Sequence, residues 1–166
     1  MLKGQDIVVL AALMDDRCAD ESYAELAKRV CISASEAHAS VRRLRDSALI
    51  RADRHVHRRN ATEFLLHGLR YAFPLRSCGE TARGIPTSYA APVARDAFAV
   101  SGAVPVWQTS AGGELGNAVE PLYPTAPDAA AGSRRLYDRL ALIDMLRGGR
   151  LRERHFAESR LEEMFS

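Results

Sequence analysis

Seven arginines fall within residues 41–60: Arg42, Arg43, Arg45, Arg51, Arg54, Arg58 and Arg59. Only Asp46 and Asp53 oppose them, so this window carries +5. All of its positive charge is guanidinium. The planar fork of arginine matches phosphate oxygens and guanine edges two bonds at a time, which the point charge of lysine does not. The bland counterpart is a solvated charged face, so the elements that carry these residues have to decide.

Other reactive side chains make weaker patterns. His55-x-His57 has the spacing of a two-ligand metal pair, with Cys18, Cys31 or His38 as further donors. A structural zinc site, however, shows tight Cys/His pairs on both sides of a loop. Cys31 beside a helix start invites a redox switch, against the simpler reading of a buried, inert thiol. No Gly-x-Ser-x-Gly motif occurs, and Gly112-Gly113-x-x-Gly116 lacks the lysine and strand–helix context of a phosphate loop. The carboxylate pairs Asp15-Asp16 and Glu162-Glu163 are adjacent, so on a helix they diverge. The expectation is a protein without catalytic residues, metal or cofactor.

The chain of 166 residues is 47% hydrophobic and 27% charged with a net charge of +2, a globular composition. Residues 1–60 hold 11 basic and 9 acidic groups, residues 61–132 hold 4 and 6, and residues 133–166 hold 8 and 6. No apolar run approaches the roughly 20 residues that cross a bilayer. Ile7 to Met14 imitates a signal-peptide core, but Asp6 precedes it and Asp15, Asp16 and Arg17 follow. Three cysteines, odd in number and without CxxC spacing, suit a reducing compartment. A soluble cytoplasmic protein with no membrane partner is expected.

Proline and glycine divide the chain into residues 1–73, 74–132 and 133–166. In the first part, Leu2 to Met14 is apolar with helical spacing. Ser22-x-x-Glu25 and Ser33-x-x-Glu36 are capping boxes that open helices at Tyr23 and Ala34. The first should bury Leu26, Ala27 and Val30, and the second Ala37, Val41, Leu44 and Ala48. Only about three residues separate the two, so they must cross steeply, as in a helix-turn-helix. Leu49-Ile50 starts a strand, Arg51 to Arg59 reads as a hairpin, and Asn60 caps a further helix that stops before Pro74.

The segment from Tyr23-Ala24-Glu25-Leu26-Ala27 through Ile32-Ser33-Ala34-Ser35-Glu36-Ala37-His38 to Val41-Arg42-Arg43-Leu44-Arg45-Asp46-Ser47-Ala48-Leu49-Ile50 resembles winged helix-turn-helix domains of the broad MarR-like bacterial regulator type. The resemblance covers residues 4–60. Ala48 stands where such domains usually place the glycine that ends the recognition helix, which predicts another end geometry, and the wing is shorter than usual. The resemblance implies an outward helix face of Ala34, Ser35, His38, Ala39, Arg42 and Arg43. Ser35, His38, Arg42 and Arg43 would then read the major groove. Arg51, Arg54, His57, Arg58 and Arg59 would grip phosphates from the wing, with His55 beside them. The implied function is a duplex-DNA-binding transcriptional regulator, a repressor acting as a homodimer. The alternative is a protein-interaction module, or an antitoxin-like protein that binds a partner protein and autoregulates its promoter.

Pro74 to Pro127 hold all seven prolines and six of the eleven glycines, with aromatics spread among them. An extended stretch draped over the helices is expected, with a hairpin of Val104 to Gln108 and Asn117 to Pro121. Trp107, Tyr89 and Tyr123 serve it as core anchors or as walls of a small-molecule pocket. Residues 133–166 read as two helices, the first capped by Ser133 and ended by Gly148-Gly149, and suit a dimerisation element or packing on the first helix. The texture of His67-Gly68-Leu69-Arg70-Tyr71-Ala72-Phe73-Pro74, Arg83-Gly84-Ile85-Pro86-Thr87, Val119-Glu120-Pro121-Leu122-Tyr123-Pro124 and Arg147 to Arg154 is similar to a bacterial family of uncharacterised winged-helix proteins. The expected fold class is therefore mainly α with a small β-hairpin.

Overall fold

A computed structural model describes residues 1–165. They form eight α-helices and three strands, a mixed α/β fold in which helix predominates, as expected, and a small three-stranded sheet is added to the expected hairpin.

Helix α1 (Gly4–Leu13) starts where the Asp6 carboxylate accepts the Lys3 N–H at 2.8 Å. Every residue from Gln5 to Met14 is buried, so this helix runs through the interior instead of lying on it. A 3-10 turn at Asp16–Asp20 leads to α2 (Tyr23–Val30) and α3 (Ala34–Asp46). Both capping boxes form: Ser22 Oγ accepts the Glu25 N–H at 3.2 Å, and Ser33 Oγ accepts the Glu36 N–H at 3.1 Å. Ala37, Val41 and Leu44 are fully buried, as the spacing predicts.

The same termination closes both helices. At the end of α2 the Ile32 N–H reaches the Ala27 carbonyl and Cys31 takes φ +57°. At the end of α3 the Leu49 N–H reaches the Leu44 carbonyl and Ala48 takes φ +56°. This is the Schellman arrangement, normally built on glycine. Ala48 therefore does adopt the left-handed geometry expected to be avoided, and it is exposed rather than inward. Its carbonyl accepts the Asn60 Nδ2–H at 2.8 Å.

The hairpin spans less than expected. One bridge pairs Ile50 with Val56, flanked by Arg51 N–H to the His55 carbonyl and His57 N–H to the Leu49 carbonyl, each 2.8 Å. Arg58 and Arg59 are not on it. They form the first turn of α4 (Arg58–His67), whose N-cap is His57 and not Asn60. A short α5 (Leu69–Ala72) ends before Pro74.

Residues 74–132 contain a sheet that sequence spacing did not announce. Strand β1 (Ser77–Pro86) pairs antiparallel with both β2 (Pro105–Gln108) and β3 (Glu114–Val119), which run parallel to each other and close a small three-stranded barrel. The two segments expected as an antiparallel hairpin are thus β2 and β3, in the opposite relative direction. Closure depends on bare backbone. A Cβ on Gly84 would lie 1.9 Å from the Trp107 carbonyl oxygen, and one on Gly116 2.2 Å from that of Val104. The segment ends in α6 (Ala126–Gly132), also unexpected, which packs on α2 and α7.

Helix α7 (Arg134–Gly148) is capped by Ser133, whose Oγ accepts the Leu136 N–H at 3.3 Å. It is buried from Arg139 to Arg147 and packs against α1, α5, α6 and α8 (Leu151–Met164). Leu10, Leu13, Leu140 and Ile143 are at most 1% exposed. Each such side chain contributes about 1.5–3 kcal/mol relative to exposure. The apolar face of α7 is therefore used within the chain, against α1 among others. Arg139 is buried as well; its guanidinium donates to the Ala11 carbonyl at 3.2 Å, serving an orphan group at the end of α1, and burial lowers its pKa.

One buried carboxylate ties the sheet to this core. Asp144 Oδ2 accepts from Thr87 Oγ1 at 2.7 Å and Trp107 Nε1 at 2.8 Å, while its Oδ1 lies 2.6 Å from an Arg147 guanidinium nitrogen. Arg147 Nε in turn donates to the Phe73 carbonyl at 2.8 Å. Burial pushes the Asp144 carboxyl up, and Arg147, Thr87 and Trp107 pull against that.

Candidate nucleic-acid interface

Helix α3 presents three different sides. Ala37, Val41 and Leu44 face the core. Ser40 and Arg43 face α1: Ser40 is fully buried with its hydroxyl 3.3 Å from Gln5 Oε1, and Arg43 grips both Asp6 oxygens at 2.8 Å. Asp6 has no exposed surface, so this is a fork-to-fork ion pair at the edge of the core. Its hydrogen bonds raise the Arg43 pKa. Arg43 was expected on the outward face beside Arg42. Instead it holds α3 against α1, and Ala39 on the same side is half-buried.

The third side is outward. Ser35, His38, Arg42 and Arg45 follow spacings of three, four and three and are all exposed. Arg42 has no side-chain partner among the described residues. Arg45 donates to the Ala52 carbonyl at 3.4 Å, which joins this stripe to the hairpin.

Tyr23 is the hub of the surface, though in the sequence it marks only a helix start. The His38 ring lies 4.8 Å from the Tyr23 ring at 60°, and the Arg54 guanidinium sits 5.0 Å over the same ring. Arg54 takes φ +69° at the hairpin turn, so the tip folds back onto the start of α2. The Asp53 carboxylate accepts the His55 N–H at 3.1 Å and its pKa is lowered by that bond. Three segments distant in sequence thus bring His38, Arg42, Arg45 and Arg54 to one surface, with Arg51 exposed beside the hairpin bridge.

The remaining expected residues lie elsewhere in the framework. His57 is spent on capping, its Nδ1 accepting the Asn60 N–H at 3.5 Å. Arg58 donates to the Phe165 carbonyl and lies 3.7 Å from Asp16, so it ties α4 to the end of α8. Arg59 is exposed. At the start of α3, Lys3, Ser35, Ala39 and Tyr123 border a cleft of about 300 Å3, with the Tyr123 hydroxyl 3.4 Å from Glu36. Nothing in the sequence places Lys3 or Tyr123 beside Ser35, because α1 and residues 119–125 reach that point only through tertiary packing.

Comparison with known proteins finds no family that matches the chain, no similar protein of curated function and no similar solved structure. The chemistry of the surface stands on its own geometry.

That geometry offers an exposed guanidinium, Arg42, on a rigid helix. Arg45 and Arg54 are oriented around it by backbone and ring contacts, and the Ser35 hydroxyl sits two turns toward the N-terminus. Such a set donates hydrogen bonds and positive charge, the complement of phosphate and of guanine edges. Cys31, expected to be buried, is exposed at the turn between α2 and α3. Its thiol pKa is raised, first by desolvation, which keeps it protonated and a poor nucleophile. Trp107, Tyr89 and Tyr123 do not share a pocket: Trp107 is interior, bonded to Asp144, and Tyr123 lies against α3. No described helix is long and apolar enough to cross a membrane.

Proposed function

We propose that the chain is a winged helix-turn-helix protein that binds duplex DNA and regulates transcription. In this reading α2 and α3 are the helix-turn-helix, α3 enters the major groove, and residues 49–57 are a short wing. The observation that carries it is the outward stripe of α3, His38, Arg42 and Arg45, which stands clear of both the core side and the α1 side, with exposed Ser35 at its head where the cleft beside Lys3 opens. Arg42 takes the groove contact, with Ser35 and His38 beside it. Arg51 and Arg54 take phosphates, joined by Lys3 from the start of α1. Arg43 positions α3 and does not read DNA. Two copies reading two half-sites complete the proposal. Their contact uses exposed surface, since the α7 face is filled within the chain.

Fluorescence anisotropy with duplexes tiling the DNA upstream of the gene, and one scrambled duplex, tests the proposal at two salt concentrations. One tile should hold the protein at the higher salt where the scrambled duplex has released it. Arg42→Ala should weaken that tile by about tenfold or more without moving the thermal midpoint, a groove contact being worth roughly 1–3 kcal/mol. Absence of binding to every tile at low salt, or full affinity in Arg42→Ala, overturns the assignment.

A further inference from the structure

We propose that the cleft between residues 97–101 and the start of α8 is a binding site for a small anion with an apolar, aromatic body. The cleft encloses about 690 Å3, enough for a ligand of two or three rings. It is remote in sequence from α2, α3 and the hairpin, and the inference does not depend on the DNA reading.

Two kinds of surface meet there. Tyr89 and Phe98 supply half-buried aromatic faces, and the Phe98 ring is fixed edge-on against Phe156 of α8, with centroids 5.4 Å apart at 82°. Leu151 completes the apolar part and is 58% exposed, a large aliphatic side chain left in water at the cleft wall. Arg150 and Arg152 supply the charge. Both are exposed, and neither guanidinium is paired with a carboxylate among the described residues. The acid in the lining is Glu153, and it is engaged: its carboxylate accepts the Arg150 N–H at 2.5 Å and caps α8. Two unpaired guanidinium groups beside aromatic walls complement a carboxylate or sulfonate carried on a flat apolar body. Stacking would take the body and the arginine forks the acid group.

The probe is 8-anilinonaphthalene-1-sulfonate, with neutral N-phenyl-1-naphthylamine as its uncharged counterpart, titrated by fluorescence into the full chain without DNA. The anionic probe should saturate at one per chain and bind about fivefold or more tightly than the neutral one, because a hydrogen bond to a charged group is worth about 1.5–3 kcal/mol. Arg150→Ala with Arg152→Ala should remove that preference while far-UV circular dichroism and thermal midpoint stay unchanged, since both side chains lie at the surface. Phe98→Leu, which keeps apolar contact with Phe156, should weaken both probes. Equal affinity for the two probes, or an unchanged preference in the double arginine variant, overturns the site. The DNA titration contains neither probe, so the two proposals fail separately.

Discussion

The helix pair with its hairpin, residues 22–57, and the small barrel, residues 77–119, solve the same problem by opposite means. In the first, backbone groups at each helix start are satisfied within four residues, by Ser22 with Glu25 and by Ser33 with Glu36. In the second, β1 finds its partners 20 to 42 residues later, as in Pro86 with Val106 and Ser77 with Val119. Its attachment to α7 is centred on one buried carboxylate, Asp144, with the Tyr137 hydroxyl donating to the Pro86 carbonyl and the Tyr137 ring 5.9 Å from that of Trp107 beside it. The difference teaches where each region is vulnerable. Local capping loses one contact at a time, whereas the barrel depends on Asp144 holding Thr87, Trp107 and Arg147 together.

Four substitutions or titrations break or sharpen that contrast, beginning with the largest effect. Asp144→Asn keeps an acceptor for Thr87 and Trp107 but leaves the Arg147 charge buried without its counterion, and should lower stability by about 3–5 kcal/mol. Amide exchange should show residues 77–119 losing protection ahead of α2. Uniform loss across the chain would mean that the barrel has no separate tether.

Arg43→Ala should follow at about 3 kcal/mol, because it strands the fully buried Asp6. A denaturant titration beside Arg42→Ala separates the neighbours. Only Arg43→Ala should lower the midpoint, and equal midpoints would return Arg43 to the surface face.

Ala48→Gly should stabilise the chain by about 1 kcal/mol. It relieves a left-handed alanine whose strain is of order 1–3 kcal/mol, offset by the greater backbone freedom of unfolded glycine. A loss of stability would show that Ala48 does not sit in the left-handed region.

The smallest effect concerns pH. Hydrogen bonds from Ser22 and Ser33 lower the pKa of Glu25 and Glu36. The folded values lie below the unfolded one, so the stabilisation is complete above roughly pH 4.3 and is lost as pH falls through the folded values. Carboxyl chemical-shift titration should place both midpoints below the ordinary glutamate value of about 4.3.

The split between neighbours is also the clearest measure of what could be read beforehand. The starts of α2, α3 and α7, the inward Ala37, Val41 and Leu44 of α3 and the break before Pro74 were legible because each depends on spacing within one or two turns. Arg42 and Arg43 were not separable. They stand 100° apart on the helix, and only the position of α1 decides which one meets Asp6. Arg58 and Arg59 were assigned to the hairpin because a charge run carries no sign of where a strand ends; His57 moved the helix start three residues forward. Strand β1 has little alternation of apolar and polar residues, since it closes a barrel through Gly84 rather than covering a core with side chains.

The sequence by itself determined α2, α3 and the break before Pro74, the composition of the core and the density of arginine around α3. Those follow from capping chemistry and helical periodicity, which act over a few residues. Tertiary structure decided the rest: which arginines are exposed, that Tyr23 gathers His38 and Arg54, and that three short strands form one closed sheet on Asp144. Each of those depends on where a distant segment lies, and the free energy that puts it there comes from burying α1 and α7 together, a long-range packing term that no local pattern carries.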